Sequence, residues 1–283
     1  DADDLVQETF VRVIERPPAR TNEPWRPWLV RVALNLGRDA LRRRRRCSYI
    51  GPWLPAPIET GEEESPPSYE LVAEGGISTE GRYDLIESVS FAFLLALEAL
   101  TPQQRAVLLL RDVFDYSVRE TALALGMTEA NVKTVHHRAR RKMRDYDEDR
   151  CIPTRALQER TRQTLERFML ALASQDIASI EALLSEDVLS LSDGAGEFHA
   201  ARVPIIGRER VTRFYANISG RRAADVQIDI RLLNGLPAVV AAFSHGLPGE
   251  PPRTVLICNV RSDGQIQALH AVVATQKLTA VRF

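Results

Sequence analysis

Residues 116–143, YSVRETALALGMTEANVKTVHHRARRKM, decide how the central part of this chain folds. Ser117 followed three residues later by Glu120 is a capping-box pattern, in which each side chain accepts an N–H that a helix start leaves without a partner. Gly126 stands where that helix must stop, because a residue tolerant of positive φ ends a helix at low cost. Thr128 then caps a second, longer helix. Its Val132, Val135, Ala139 and Met143 recur at helical spacing and make one apolar stripe. Away from that stripe lie Asn131, Lys133, Thr134, His137, Arg138 and Arg141, side chains suited to phosphates and base edges. Cap, glycine, cap and basic helix in this order predict a helix-turn-helix whose second helix enters a DNA groove. The competing interpretation is an ordinary helical hairpin with a solvated basic face.

Working outward, Thr101-Pro102-Gln103-Gln104 is a second start signal, with a cap, a Pro at the first helical position and Gln at the third. Helices resume near Tyr83 and run to Tyr146, and the acidic run 145–150 with Pro153 closes this block. Upstream, residues 51–80 are rich in Pro, Gly, Glu and Ser and have too little apolar surface to fold alone, so they read as a linker. Further upstream, residues 27–41 place Leu29, Val32, Ala33, Leu36 and Ala40 on one helical face, with Asn35, Arg38, Asp39 and Arg42 on the other. That helix runs into five consecutive arginines, Arg42 to Arg46. Arginines near phosphates release counterions and give affinity without sequence choice.

The chain has 283 residues, enough for two or three domains, and a formal net charge of −1. That total hides segregation, since 38–46 and 138–144 are basic while 59–64 and 145–149 are acidic, and nucleic acid responds to such local patches. Cys47, Cys151 and Cys258 have no metal-ligand spacing and read as reduced thiols of a cytoplasmic protein. No apolar run is long enough to span a membrane. The chain opens at Asp1 without a Met, so a preceding stretch of the first domain is expected.

From Thr154 the pattern changes. Leu165, Phe168, Met169 and Leu172 mark an amphipathic helix, and Ile177, Ile180, Leu183 and Leu184 mark another. Strand signals follow at 188–191, 198–203, 226–233, 238–244, 254–260 and 266–273, with a helix at 208–218. Asn234-Gly235 and Asp263-Gly264 are hairpin turn pairs. Helices first and an antiparallel, curved sheet after them is an α+β order.

Three stretches together resemble a known family: DADDLVQETFVRV (1–13), PWLVRVALNLGRDALRRRRR (27–46) and LEALTPQQRAVLLLRDVFDYSVRETALALGMTEANVKTVHHRARRKM (97–143). They are similar to the second and fourth regions of bacterial group IV sigma factors of the extracytoplasmic-function type. The resemblance implies that Asp4, Gln7, Glu8 and Phe10 contact core RNA polymerase. It also implies that Asn35, Arg38, Asp39, Arg42 and Arg43 approach the promoter −10 element, and that Asn131, Lys133, Thr134, His137, Arg138 and Arg141 read the −35 groove.

Residues 154–283 resemble a SnoaL-like domain of the NTF2-like superfamily, a cone of helices against a curved sheet. WLPAP (53–57) resembles the WLPEP linker signature of sigma factors with this extension, with Ala56 in place of Glu. DGAGE (193–197) resembles their glycine-rich motif, and ATQKL (274–278) retains Lys277-Leu278 of their NPDKL ending. By that resemblance the last domain regulates in cis. Trp53, Leu54, Pro55, Asp193, Gly194 and Gly196 are the expected contacts, and the cone leaves room for an unidentified small-molecule ligand.

The domains expected are therefore 1–50, a linker at 51–82, 83–149 and 154–283, with two all-α domains preceding an NTF2-like one. Asp193, His199, Asp229, His245 and His270 are the acid–base candidates of the last domain, but no two have diagnostic spacing, so no enzyme, cofactor or metal is expected. One alternative is a small-molecule enzyme fused to a DNA-binding module. The other is a ligand-responsive regulator of the LuxR type, which leaves DADDLVQETF unexplained.

Overall fold

The computed structural model describes residues 2–15, 25–44, 49–60, 83, 85–148, 150–222, 226–244 and 248–283. The chain divides into two compact units, Asp1–Ser48 with Glu70–Ser88 and Ala96–Arg150, and Tyr49–Tyr69 with Val89–Leu95 and Cys151–Phe283.

The first unit is helical. Helix α1 spans Ala2–Glu15, α2 spans Arg26–Arg44, and α3 is the short Leu85–Ser88. Helix α4, Phe91–Leu97, starts within the stretch Val89–Leu95 that belongs to the second unit; after it, α5, Pro102–Leu108, opens on a complete Thr101/Gln104 capping box with Pro at its start. A π-helical turn at Leu109–Val113 continues it. The helix-turn-helix forms as its caps dictate. Ser117 and Glu120 exchange both capping bonds ahead of α6, Val118–Leu125, and Gly126 closes it at φ 63°. Thr128 caps α7, Glu129–Lys142, and α8 follows at Arg144–Glu148. Val132, Val135 and Ala139 of α7 pack with Val107, Leu110, Ala122, Ala124 and Leu125. Each such apolar side chain removed from water stabilises by about 1–3 kcal/mol, so this stripe holds the two helices at a fixed angle. Val30 and Leu34 of α2 pack against the same cluster, and Arg31 Nη2 donates to Leu123 O at 2.9 Å.

The second unit places helices α9 (Arg155–Ala173), α10 (Ile177–Leu183) and α11 (Arg208–Arg222) with a six-stranded sheet. The strands are β1 Leu184–Asp193, β2 Ile205–Ile206, β3 Val226–Leu233, β4 Leu236–Phe243, β5 Arg253–Val260 and β6 Ile266–Val272, in the order β2-β1-β6-β5-β4-β3. Two helices lead into the sheet and α11 interrupts it between β2 and β3, an α+β order. One face of the sheet packs Leu165, Phe168 and Leu172 of α9 with Val211 and Tyr215 of α11. Val240, Val255, Ile257 and Val272 make the other face, which is covered by Leu54, Phe91, Leu278 and Val281.

Two sequence expectations need correction. The sheet is mixed rather than wholly antiparallel, because β1 pairs with β6 in parallel. A parallel pair needs a long crossover, here α11 with four strands, and so leaves no turn signal in the sequence. The strand expected at 198–203 does not form; pairing with β1 falls at Ile205 and Ile206 instead. Val203 is 68% exposed and has no apolar face to join, while Pro204 next to it cannot donate to a ladder. The hairpin expectation holds at β3–β4, where Asn234 and Gly235 adopt φ 52° and 81°.

Candidate nucleic-acid interface and linker clasp

Helix α7 presents Asn131, Lys133, Thr134, His137, Arg138 and Arg141 to solvent. Glu129 in its first turn and Arg140, Arg141 and Lys142 in its last oppose the helix dipole. How this helix is fastened is not evident from the sequence. Asp112, 3% exposed in the π-helical turn, accepts His136 Nε2 at 2.8 Å and Arg140 Nε and Nη2 at 3.2 Å each. Burial pushes the Asp112 carboxyl up, but His136 and Arg140 outweigh it and hold it below the usual carboxylate range. The signal was a lone carboxylate inside the apolar run 107–113, which cannot be buried without cations to meet it. Past the end of α7, Tyr83 Oη donates to Asp147 at 2.7 Å. Glu87, fully buried, accepts Tyr146 Oη at 2.8 Å and Arg150 Nε at 2.7 Å.

On α2, Asn35 and Asp39 are exposed, and Arg42 and Arg43 occupy its last turns. The side chains of Arg38, Arg42 and Arg43 lie outside the described residues. Asn35 lines a groove of about 600 Å³ together with Arg31, Arg119, Gly126 and Glu129, so α2 and the helix-turn-helix share one surface. On α1, Asp4, Gln7 and Glu8 are exposed and Phe10 keeps 57% of its surface in water. Glu8 is paired with Arg12 at 3.1 Å.

In the second unit Leu54, Asp193 and Lys277 come together from three distant parts of the chain. Asp193 is fully buried at the end of β1 and accepts Leu54 N at 2.7 Å and Tyr49 Oη at 2.5 Å. Lys277 Nζ lies 2.5 Å from both Asp193 Oδ2 and Leu54 O. The same ammonium sits 4.1 Å from the Trp53 ring centroid and 5.0 Å from that of Tyr49, which are cation–π distances. Leu54 itself is fully buried, and Pro55 is buried beside it. Gly196 has φ 80°, and a Cβ there would lie 2.8 Å from Ile50 Cδ1, so the turn after Asp193 needs glycine at this position. At Gly194 a Cβ would meet the Ala200 Cβ at 3.0 Å. The linker then runs along β3, where Thr60 N donates to Leu232 O at 2.8 Å. Asn234 joins it to another segment, accepting Ile58 N at 3.1 Å and donating to Val89 O at 2.9 Å. Lys277 was visible in the sequence only as the remnant of a motif; an isolated cation at the end of a buried run was its physical signal.

The acid–base candidates of this unit do not converge. Asp193 belongs to the clasp, and Asp229 pairs with Arg231 at 2.7 Å. The His199 side chain is 77% exposed, 3.9 Å from Glu250. His270 is 1% exposed beneath the Phe91 ring, 5.5 Å between centroids, and neither ring nitrogen has a hydrogen-bond partner. Burial alone lowers its pKa to about 4. His245 lies outside the described residues. Among the described residues no helix is long and apolar enough to cross a membrane, and no cluster of metal-ligating side chains occurs.

Comparison with known proteins accounts for this combination. The chain matches the Sigma-70 region 2 family over residues 1–47 and the Sigma-70, region 4 family over residues 90–143. It is 30% identical to the ECF RNA polymerase sigma factor SigJ of Mycobacterium tuberculosis, over 99% of this chain and 86% of that protein. It is also 30% identical to SigG, an ECF RNA polymerase sigma factor from the same species, over 87% of this chain and 68% of the relative. The crystal structure of SigJ superposes with a TM-score of 0.70 at 27% identity, covering 98% of this chain and 89% of that one.

Proposed function

Since this chain belongs to the extracytoplasmic-function sigma factors of bacterial RNA polymerase, we propose that α7 reads the −35 element, that α2 approaches the −10 element, and that residues 154–283 control both in cis through the linker. The protein then acts in the cytoplasm, on core RNA polymerase and promoter DNA, without chemistry of its own. Exposed Asn131, Lys133, Thr134, His137, Arg138 and Arg141 support the first assignment, and exposed Asn35 and Asp39 support the second. The exposed face of α1, with Gln7 and Phe10, supports polymerase contact.

The observation that carries cis control is the clasp of Lys277 on Asp193 and Leu54. Residues 49–60 begin the connection between the two promoter-reading modules, and a linker fastened near its start leaves less chain free to set their separation. Two promoter elements about two helical turns apart lie roughly 70 Å from each other. Helix α2 packed on the core of the helix-turn-helix, with Arg31 bonded to Leu123, does not span that distance. The packed arrangement is therefore the resting one, and release of the linker lets the modules separate. Linking two weak contacts then raises their joint affinity without either being tight alone.

The test is transcription by core RNA polymerase supplied with the full-length protein or its Lys277→Ala variant. A changed yield at the same start sites supports control through the clasp. Equal yields from the two proteins refute it.

A further inference from the structure

We infer that Asp112 is a positioning residue for −35 readout: by holding His136 and Arg140 it fixes which face of α7 meets the groove and keeps two side chains off the phosphates. This rests on the reading of α7 as the −35 helix. His136 and Arg140 are one turn apart on the flank between the buried stripe of Val132, Val135 and Ala139 and the exposed face. A single carboxylate meets both, accepting the imidazole at 2.8 Å and the guanidinium through two nitrogens at 3.2 Å. Two parallel bonds from a guanidinium fix orientation as well as distance.

The carboxylate side chain is only 4% exposed, while those of His136 and Arg140 are 17% and 42% exposed. Its backbone is anchored too, because Asp112 O accepts Tyr83 N at 2.9 Å. The π-helical turn around it adds a residue to the helical turn, which re-aims side chains relative to an ordinary helix. The apolar stripe fixes the rotation of α7 only coarsely, because a small rotation leaves Val132, Val135 and Ala139 still in the core. The Asp112 fork resists that rotation. Without it Arg140, a long cation next to the DNA-facing Arg141, becomes free to swing onto a phosphate. Such a contact adds affinity for any sequence and none for the −35 element.

The experiment measures binding of the full-length protein, as holoenzyme with core RNA polymerase, to promoter fragments with an intact or a scrambled −35 element across a salt series. Asp112→Asn keeps the side-chain shape and removes the charge. It is expected to lower the preference for the intact element about tenfold, within the range that one base-reading contact supplies. The plot of log affinity against log salt is expected to steepen by about 0.9 for each phosphate newly contacted. Adding Arg140→Gln to that background restores the slope, which a purely structural role for Asp112 would not do. Arg140→Lys, which keeps the cation but loses the fork, gives an intermediate preference and covers the case in which Asp112→Asn does not fold. Unchanged preference and slope in the variants that fold overturn the inference if Arg138→Ala with Arg141→Ala weakens binding. If that pair also leaves the −35 preference intact, the assignment of α7 fails and the inference with it.

Discussion

Replacing Lys277 with Ala should undock the linker, and the size of the effect follows from the clasp. The substitution removes an ion pair to a carboxylate with no exposed surface, a bond to the carbonyl of fully buried Leu54, and a cation 4.1 Å from the Trp53 ring centroid. Breaking a buried pair by deleting one partner costs about 3–5 kcal/mol. Asp193 keeps bonds from Tyr49 Oη, Leu54 N and Ala195 N, which places the loss toward the lower end. At about 1.4 kcal/mol per factor of ten, a loss of about 3 kcal/mol lowers the docking constant roughly 150-fold.

Amide hydrogen exchange of the full-length protein reads this directly. Residues 49–60 should lose protection by about two orders of magnitude while β4 and β5 keep theirs. A second variant separates the pair from the packing. Asp193→Asn with Lys277→Met removes both charges and keeps volume, so it should recover most of the protection that Lys277→Ala loses. Unchanged exchange at 49–60 in Lys277→Ala, with the sheet intact, would show that Lys277 does not hold the linker. So would equal loss across the whole second unit, which would make Lys277 a residue of general stability.

Arg138→Ala with Arg141→Ala should weaken promoter binding and flatten its salt dependence by about 1.8, two phosphates at about 0.9 each, as measured by titration in KCl. Gln7→Ala with Phe10→Ala should reduce association with core RNA polymerase in a pull-down yet shift stability by only about 0.5 kcal/mol, the usual cost of exposed substitutions. Gly196→Ala should cost about 1–3 kcal/mol by thermal unfolding, because its φ is 80° and Ile50 Cδ1 would lie 2.8 Å from the new Cβ. For His270 the folded pKa of about 4 lies below the unfolded 6.5, so the unfolded chain binds more protons between those values. Stability of the second unit should therefore fall as pH drops from 6.5 toward 4, by on the order of 3 kcal/mol in full. His270→Leu should shrink that pH dependence in denaturant melts, and an unaltered profile would rule out His270 as its source.

The local parts of the fold were legible because their causes are local. Ser117 with Glu120, Gly126, Thr128 and Thr101 with Gln104 each act within four residues, and the structure forms each cap where the spacing predicts it. The Asn234-Gly235 turn is legible for the same reason. The parallel pairing of β1 with β6 is not, since the two strands meet across some eighty residues and no turn between them announces it. Phe91 and Leu95 read as part of a helical block, yet they pack on the sheet with Leu54 and Val272. An apolar helical face names its need for a partner but not which partner. Asp112 shows the same limit from the polar side. Its neighbours Val107, Leu110 and Val113 made burial foreseeable, whereas His136 and Arg140 reach it only after the helix-turn-helix has closed.

The most direct test of promoter recognition by this protein is run-off transcription with purified core RNA polymerase and the full-length protein on a library of genomic promoters. Initiation that depends on the protein is expected at promoters sharing a −35 and a −10 element, with loss of the −35 requirement when Arg138 and Arg141 are replaced. DNA binding without any polymerase-dependent initiation would contradict this expectation, and would assign the helix-turn-helix to a regulator that works without entering the polymerase.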